Sequence, residues 1–207
     1  VSIAKYPDQK VDISYSSTPG YVFFTRRSRP ADYIDLCRLD IHTGKVEELI
    51  SEHCAPHMNI QLFKYHLIND GKEIIWWSER NGKGQYFLYD NNGNLKNAIT
   101  PPDMVAGTIT LNRTIIVEGY GREKGINPHY RFFYKVNLDG KGFTLLTPGN
   151  GTHSIDLSPD GKYLIDNYSR MDMPTASHLI KIASPKKNTV LEESDDSELR
   201  ELGWKPP

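Results

Sequence analysis

The sequence predicts an all-β fold made of repeated four-stranded units, the pattern of a β-propeller, and three observations carry that expectation. Helical periodicity is scarce, and short apolar runs alternate with turns rich in Asp, Asn and Gly. The stretches NDGKEIIWWSER and SPDGKYLIDNYSR share an Asp-Gly-Lys launch, a strand and a polar end, with Asp70 and Asp160 standing 90 positions apart. That separation is two periods of about 45, the repeat of a four-stranded propeller blade. Midway between them, NRTIIVEGYGRE repeats the apolar run at Ile115-Ile116 and the polar break that follows it.

The elements then read in order. Residues 1–20 supply strand material of a preceding blade, and residues 21–200 hold four blades. GYVFFTRRSR, EIIWWSER, NRTIIVEGYGRE and GKYLIDNYSR are the corresponding strands of successive blades. Each is followed by two strands around a turn: DLCRLDIHTGKVEELI, YFLYDNNGNLKNAIT, FFYKVNLDGKGFTLLT and HLIKIASPKKNTVLEE. Thr100 and Thr147 close two of these copies 47 positions apart, in agreement with the period. His-Thr-Gly, Asn-Asn-Gly and Asp-Gly are turn chemistry, because Gly and Asn accept the positive φ of a tight hairpin. The fourth copy, with SPKKN, departs from it.

Side chains alternate across a strand, so Ile74 and Trp76 point to one face and Ile75 and Trp77 to the other. A strand apolar on both faces has to be covered on both. Packing between neighbouring blades satisfies this, and Tyr21-Val22-Phe23-Phe24 repeats the pattern. EIIWWSER thus reads as core, ending in a polar turn.

Bulk properties exclude several classes. The 207 residues carry a formal net charge of −1 with scattered basic residues, which leaves no electrostatic footprint for nucleic acid or an anionic membrane. No apolar run approaches the roughly 18 residues of a membrane span. The first residue is Val1 rather than Met, which suggests a processed or excised piece of a larger ring. Such an open arc would expose two blade faces, and self-pairing into a homodimer is the corresponding expectation. Cys37 and Cys54 read as unpaired thiols.

Chemistry-bearing motifs are sparse. The chain contains no G-x-S-x-G elbow, H-E-x-x-H, paired C-x-x-C, P-loop or dinucleotide fingerprint. No catalytic residue and no cofactor are assigned. His53, Cys54 and His57 in EHCAPHM are weak zinc candidates lacking an obvious fourth ligand, against a default reading of a polar inter-blade loop. Adjacent acids at Glu47-Glu48, Glu192-Glu193 and Asp195-Asp196 read as solvated faces. Glu79, Arg80, Glu118, Arg122 and Arg170 follow the second strands and are expected on one rim. There they would contact a partner domain or guide substrate, or form cross-blade ion pairs that contribute little when exposed.

IIWWSERNGKGQYFLYDNNGNLKNAIT, NPHYRFFYKVNLDGKGFTLLTPGNGTHSIDLSPDGKYLIDNYSR and LGWKPP together resemble the dipeptidyl peptidase IV branch of the prolyl oligopeptidase family, in its bacterial form. The resemblance runs from about Tyr21 to Pro207. It implies an N-terminal propeller, usually eight-bladed, preceding a C-terminal α/β-hydrolase domain that holds the Ser-Asp-His triad. Residues 201–207 would mark the junction, and this chain would gate and dock peptide substrate for the hydrolase. The family's acidic pair for the substrate's amino terminus has no match here. Lys83 stands where relatives often carry an aromatic residue, a departure confined to turn packing. The resemblance also implies a periplasmic or cell-surface setting. Two rivals remain at this stage: a stand-alone propeller that binds protein or glycan, and a sugar-active propeller enzyme with inward-facing carboxylates.

Overall fold

In the computed structural model of the chain, residues 3–14 and 18–205 are described. They form four separate four-stranded sheets, each an antiparallel meander in chain order. The first holds Lys10–Ser14 (β1), Tyr21–Arg27 (β2), Tyr33–Asp40 (β3) and Val46–His53 (β4). The second holds Tyr65–Ile68 (β5), Glu73–Ser78 (β6), Gln85–Asp90 (β7) and Leu95–Ala98 (β8). Val105–Leu111 (β9), Ile115–Tyr120 (β10), Arg131–Val136 (β11) and Thr144–Leu145 (β12) form the third. Thr152–Leu157 (β13), Tyr163–Arg170 (β14), Met173–Lys181 (β15) and Asn188–Glu193 (β16) form the fourth, and Ser197–Glu201 (α1) is a short helix after it. Two compact units, Val1–Pro102 and Asp103–Pro207, contain two sheets each.

One boundary differs from the sequence reading. Lys10–Ser14 does not belong to a preceding blade; it pairs along its length with β2, from Lys10 opposite Arg27 to Ser14 opposite Phe23. Its mixed composition, KVDIS, carries neither turn signal nor two-sided apolar pattern, so nothing in the linear sequence ties it to β2. Residues 1–2 and 15–17 of that stretch, and Pro206-Pro207 of the expected junction, lie outside the described residues.

The two Asp-Gly-Lys launches are built differently. In INDGK, Asn69, Asp70 and Gly71 all take positive φ, at 52°, 55° and 76°. In SPDGK, Gly161 turns left-handed at 67°, and the Asp160 carboxylate accepts from Ser158 Oγ at 2.8 Å and from the Lys162 amide at 3.1 Å. Pro159 supplies a preset φ near −65° at the entrance to that turn, which residue 69, an Asn, does not.

In the first unit the core centres on β6. Ile74, Ile75, Trp76 and Trp77 are all fully buried, so both faces are covered. Phe63 meets Trp76 edge-on with ring centroids 4.8 Å apart. Gly84 is required here, because a Cβ would stand 2.1 Å from the Trp77 ring. Gly93, at φ +82°, brings the β7–β8 turn onto β4: a Cβ would fall 1.8 Å from the Leu49 carbonyl oxygen. In β2, burial centres on Phe23–Arg26 rather than on the expected Tyr21–Phe24, and Tyr21 is exposed. Arg26 can be buried there because Asp35 and Glu48 neutralise its charge in place.

In the second unit Ile116, Leu146, Leu164, Ile180 and Ile182 make the core between the third and fourth sheets, with Phe133, Ile155 and Leu157 packed against it. Here β14 alternates. Leu164 and Asp166 are buried while Tyr163 and Ile165 each stay 38% exposed.

Candidate functional site

The second strands do end in polar side chains, but these are tied into the fold to different degrees. Glu52 on β4 is the hub in the first unit. Its carboxylate accepts from Trp76 Nε1 at 2.7 Å, Ser78 Oγ at 2.5 Å and Arg80 at 3.2 Å. Arg80 folds back so that its Nε also donates to Ser78 Oγ at 2.8 Å, and its guanidinium lies 4.4 Å from the Phe87 ring centroid. Three donors thus satisfy a carboxylate that the fold takes out of water. Ser78 is itself fully buried, so its hydroxyl is a structural donor that no substrate can reach. Glu79 is also occupied: it accepts from the Asn59 amide at 2.8 Å and fixes the loop after β4.

A second carboxylate cluster surrounds Asp35 on β3, opposite Arg26 in register. Asp35 is fully buried and accepts from Arg26 Nε at 2.7 Å, Ser51 Oγ at 2.6 Å, Lys5 Nζ at 3.1 Å and Tyr6 OH at 3.1 Å. Burial works against its charge, but Ser51, Arg26 and Lys5 outweigh it and hold the carboxyl below its ordinary value of 3.8. Glu48 joins through Lys5 at 2.8 Å and Arg26 at 2.5 Å. Glu47 pairs with Arg38 at 2.6 Å and Lys45 at 2.8 Å. These two acids keep partly exposed side chains, as expected of a solvated face, and also join ion-pair networks.

In the second unit Glu118 departs from the rim expectation. It lies inside β10 and is 9% exposed, accepting from Tyr120 OH and from the Thr108 amide at 3.1 Å, with Arg131 at 3.8 Å. A bulge between β9 and β10 at Val117/Gly119 turns the β9 backbone amide toward it. Burial, reinforced by the Glu118 carboxylate, pushes the Tyr120 phenol up to about 12. Arg122 and Arg170 stay near the surface. Arg122 pairs with Asp103 and lies 5.1 Å from the Phe143 ring centroid, and Arg170 pairs with Asp172 at 2.8 Å.

His153 and Asp166, which no sequence motif marks, form a fully buried pair on β13 and β14. The His153 Nδ1 lies 2.9 Å from Asp166, and the ring stacks on Tyr168 at 5.0 Å. The geometry is that of a base and its orienting acid, but Nε2 faces the Gly149 carbonyl oxygen at 3.4 Å rather than a nucleophile. Both nitrogens are thus spent on the fold. The zinc candidates do not converge either: His53 stacks on Tyr33 at 4.3 Å, and Cys54 Sγ meets the His57 carbonyl oxygen at 3.8 Å. Among the described residues no three His, Cys, Asp or Glu side chains come together as metal ligands. The Cys37 thiol is pushed up to about 11 by burial, which makes it inert as a nucleophile.

The carboxylates of Glu52, Asp35 and Asp166 thus tie strands to one another. The fold resembles the crystal structure of Porphyromonas gingivalis dipeptidyl peptidase 4 with a TM-score of 0.75 and 19% identity, over 98% of this chain and 28% of that one. It also resembles a protein of Bacteroides ovatus ATCC 8483 assigned as a dipeptidyl aminopeptidase IV, with a TM-score of 0.68 and 20% identity, over 91% of this chain and 30% of that one. The chain therefore spans under a third of either protein's length. The sequence profile of the dipeptidyl peptidase IV (DPP IV) N-terminal region matches residues 11–175. With its all-β architecture of four meander sheets, the chain belongs to the DPP IV N-terminal region family.

Proposed function

We propose that the chain is the non-catalytic propeller portion of a DPP IV-like serine exopeptidase, gating and docking peptide substrate for a C-terminal α/β-hydrolase domain. The observation that carries this reading is the profile match over residues 11–175. The absence of a G-x-S-x-G elbow from the sequence is consistent with the nucleophile lying on another domain. Partners on this reading are the hydrolase domain of the same parent chain, peptide substrates and a second copy in a homodimer, in a periplasmic or cell-surface setting. Arg122 and Arg170 are the rim residues best placed for docking, since each is partly exposed and held by one acid.

Residues 1–207 alone should not hydrolyse Gly-Pro or Ala-Pro chromogenic substrates, whereas the full-length protein should do so and lose the activity to a serine-directed inhibitor. Turnover by residues 1–207 that such an inhibitor abolishes would sink the proposal. In the full-length protein, Arg122→Glu with Arg170→Glu should raise KM while leaving kcat nearly unchanged, the signature of lost docking rather than lost chemistry.

A further inference from the structure

The strongest unassigned feature is a basic groove in the second unit, at the end of the sheets opposite Arg122 and Arg170. A cleft of about 590 Å³ is lined by Arg113, which precedes β10, Lys135 near the end of β11, Lys162 at the start of β14 and Lys181 at the end of β15. A neighbouring cleft of about 810 Å³ shares Lys135 and adds Lys186 and Lys187. One acid, Asp160, lines the first cleft, where it is engaged by Lys162 at 3.3 Å, and none lines the second. Lys135 donates to the Ile182 carbonyl oxygen at 3.0 Å. Among the described residues no ion pair holds Arg113, Lys181, Lys186 or Lys187. That is a local excess of positive charge in a chain whose formal net charge is −1.

The second cleft is apolar as well as basic. Phe143, Leu145, Pro148 and Pro185 form much of its lining. One wall is β12, only two residues long, which pairs with β11 at Tyr134–Leu145 and Lys135–Thr144. A sheet edge that stops so soon leaves width for an extended chain beside it.

We propose that this groove docks an extended acidic peptide segment bearing large apolar side chains. Carboxylates would meet the unpaired cations, and leucine-sized side chains would cover the floor between Phe143 and Pro185. Charge and apolar lining together favour this occupant over a polyanion without apolar groups, which would meet only the basic half and leave the apolar floor uncovered. The inference stands apart from the peptidase reading, since it concerns a surface and no bond-breaking step.

The test uses the full-length protein and a fluorescent peptide of matching chemistry, LEESDDSELREL. Its amide counterpart, LQQSNNSQLRQL, serves as the control. The acidic peptide should bind, with affinity falling as salt rises. Arg113→Glu with Lys181→Glu should weaken it by about tenfold, as should Lys186→Glu with Lys187→Glu, while the amide peptide binds weaker by a similar factor. Lys124→Glu, an exposed reversal outside the groove, should leave affinity unchanged. The two double variants are independent, so misfolding of one leaves the other as the readout. Absence of binding, equal binding of the two peptides, or equal loss in Lys124→Glu overturns the proposal. So does a heparin oligosaccharide that binds tighter than the acidic peptide and displaces it.

Discussion

Strands β6 and β14 begin from the same Asp-Gly-Lys tripeptide, yet they are buried in different ways. β6 is apolar on both faces and fully covered, from Ile74 to Trp77. β14 is covered on one face only, with Leu164 in the core and the apolar Tyr163 and Ile165 of its other face left exposed. Their polar groups differ as well. The Trp76 indole and the Ser78 hydroxyl are satisfied from another sheet by Glu52, whereas Asp166 is satisfied within its own sheet by His153. A repeated motif therefore specifies the turn and the start of a strand, but not how many of the strand's faces are covered.

The largest effect should come from Trp76→Ala, which leaves a cavity in the doubly covered strand and strips Glu52 of a donor. A loss of about 3–5 kcal/mol in denaturant unfolding is expected. A cost below about 1 kcal/mol would show that β6 is less tightly enclosed than described.

Next comes Glu52→Ala, which leaves the Trp76 indole, the Ser78 hydroxyl and the Arg80 guanidinium without their shared acceptor. A loss of about 3 kcal/mol is expected by the same measurement. Glu52→Gln, which keeps an acceptor but not the charge, should fall between the wild type and Glu52→Ala.

A smaller effect, visible mainly in acid, should follow at Asp35. Its carboxyl titrates lower in the folded chain than its ordinary value of 3.8. Its contribution is therefore fully present above that value and is lost as pH falls through the lower folded one. Stability measured against pH should show this acid limb in the wild type, and Asp35→Asn should flatten it while lowering stability near neutrality. An unchanged limb would mean that another carboxylate carries it.

The smallest effect should be Ile165→Ser on the open face of β14, within about 0.5 kcal/mol by denaturant unfolding. Leu164→Ala, one residue earlier on the covered face, should cost about 2–5 kcal/mol. Equal costs for the pair would erase the distinction between β14 and β6.

The repeat period, the meander order and the two-sided burial of Ile74–Trp77 are all legible in the linear sequence, because turn chemistry and apolar alternation are local. The Arg26–Asp35 pair becomes legible once the β2–β3 register is known, since the two residues stand directly opposite each other. Glu52 is not legible: its donors sit on another sheet, 24 to 28 residues further along. His153 and Asp166 are diagonal neighbours across two strands, with Tyr168 opposite His153 and Ile155 opposite Asp166, so no fixed spacing announces them. The expectation for Glu118 misses its burial because a bulge, which a single sequence does not signal, turns the Thr108 amide toward its carboxylate. β12 is too short to leave a periodic trace.

The Glu52 carboxylate also bears on how the first unit comes apart. Because two of its donors, Trp76 and Ser78, belong to β6 while its backbone belongs to β4, neither sheet can open alone without stranding a buried carboxylate or a buried indole. Amide hydrogen exchange in β4 and β6 should then proceed through one shared opening rather than two, and Glu52→Ala should uncouple their protection.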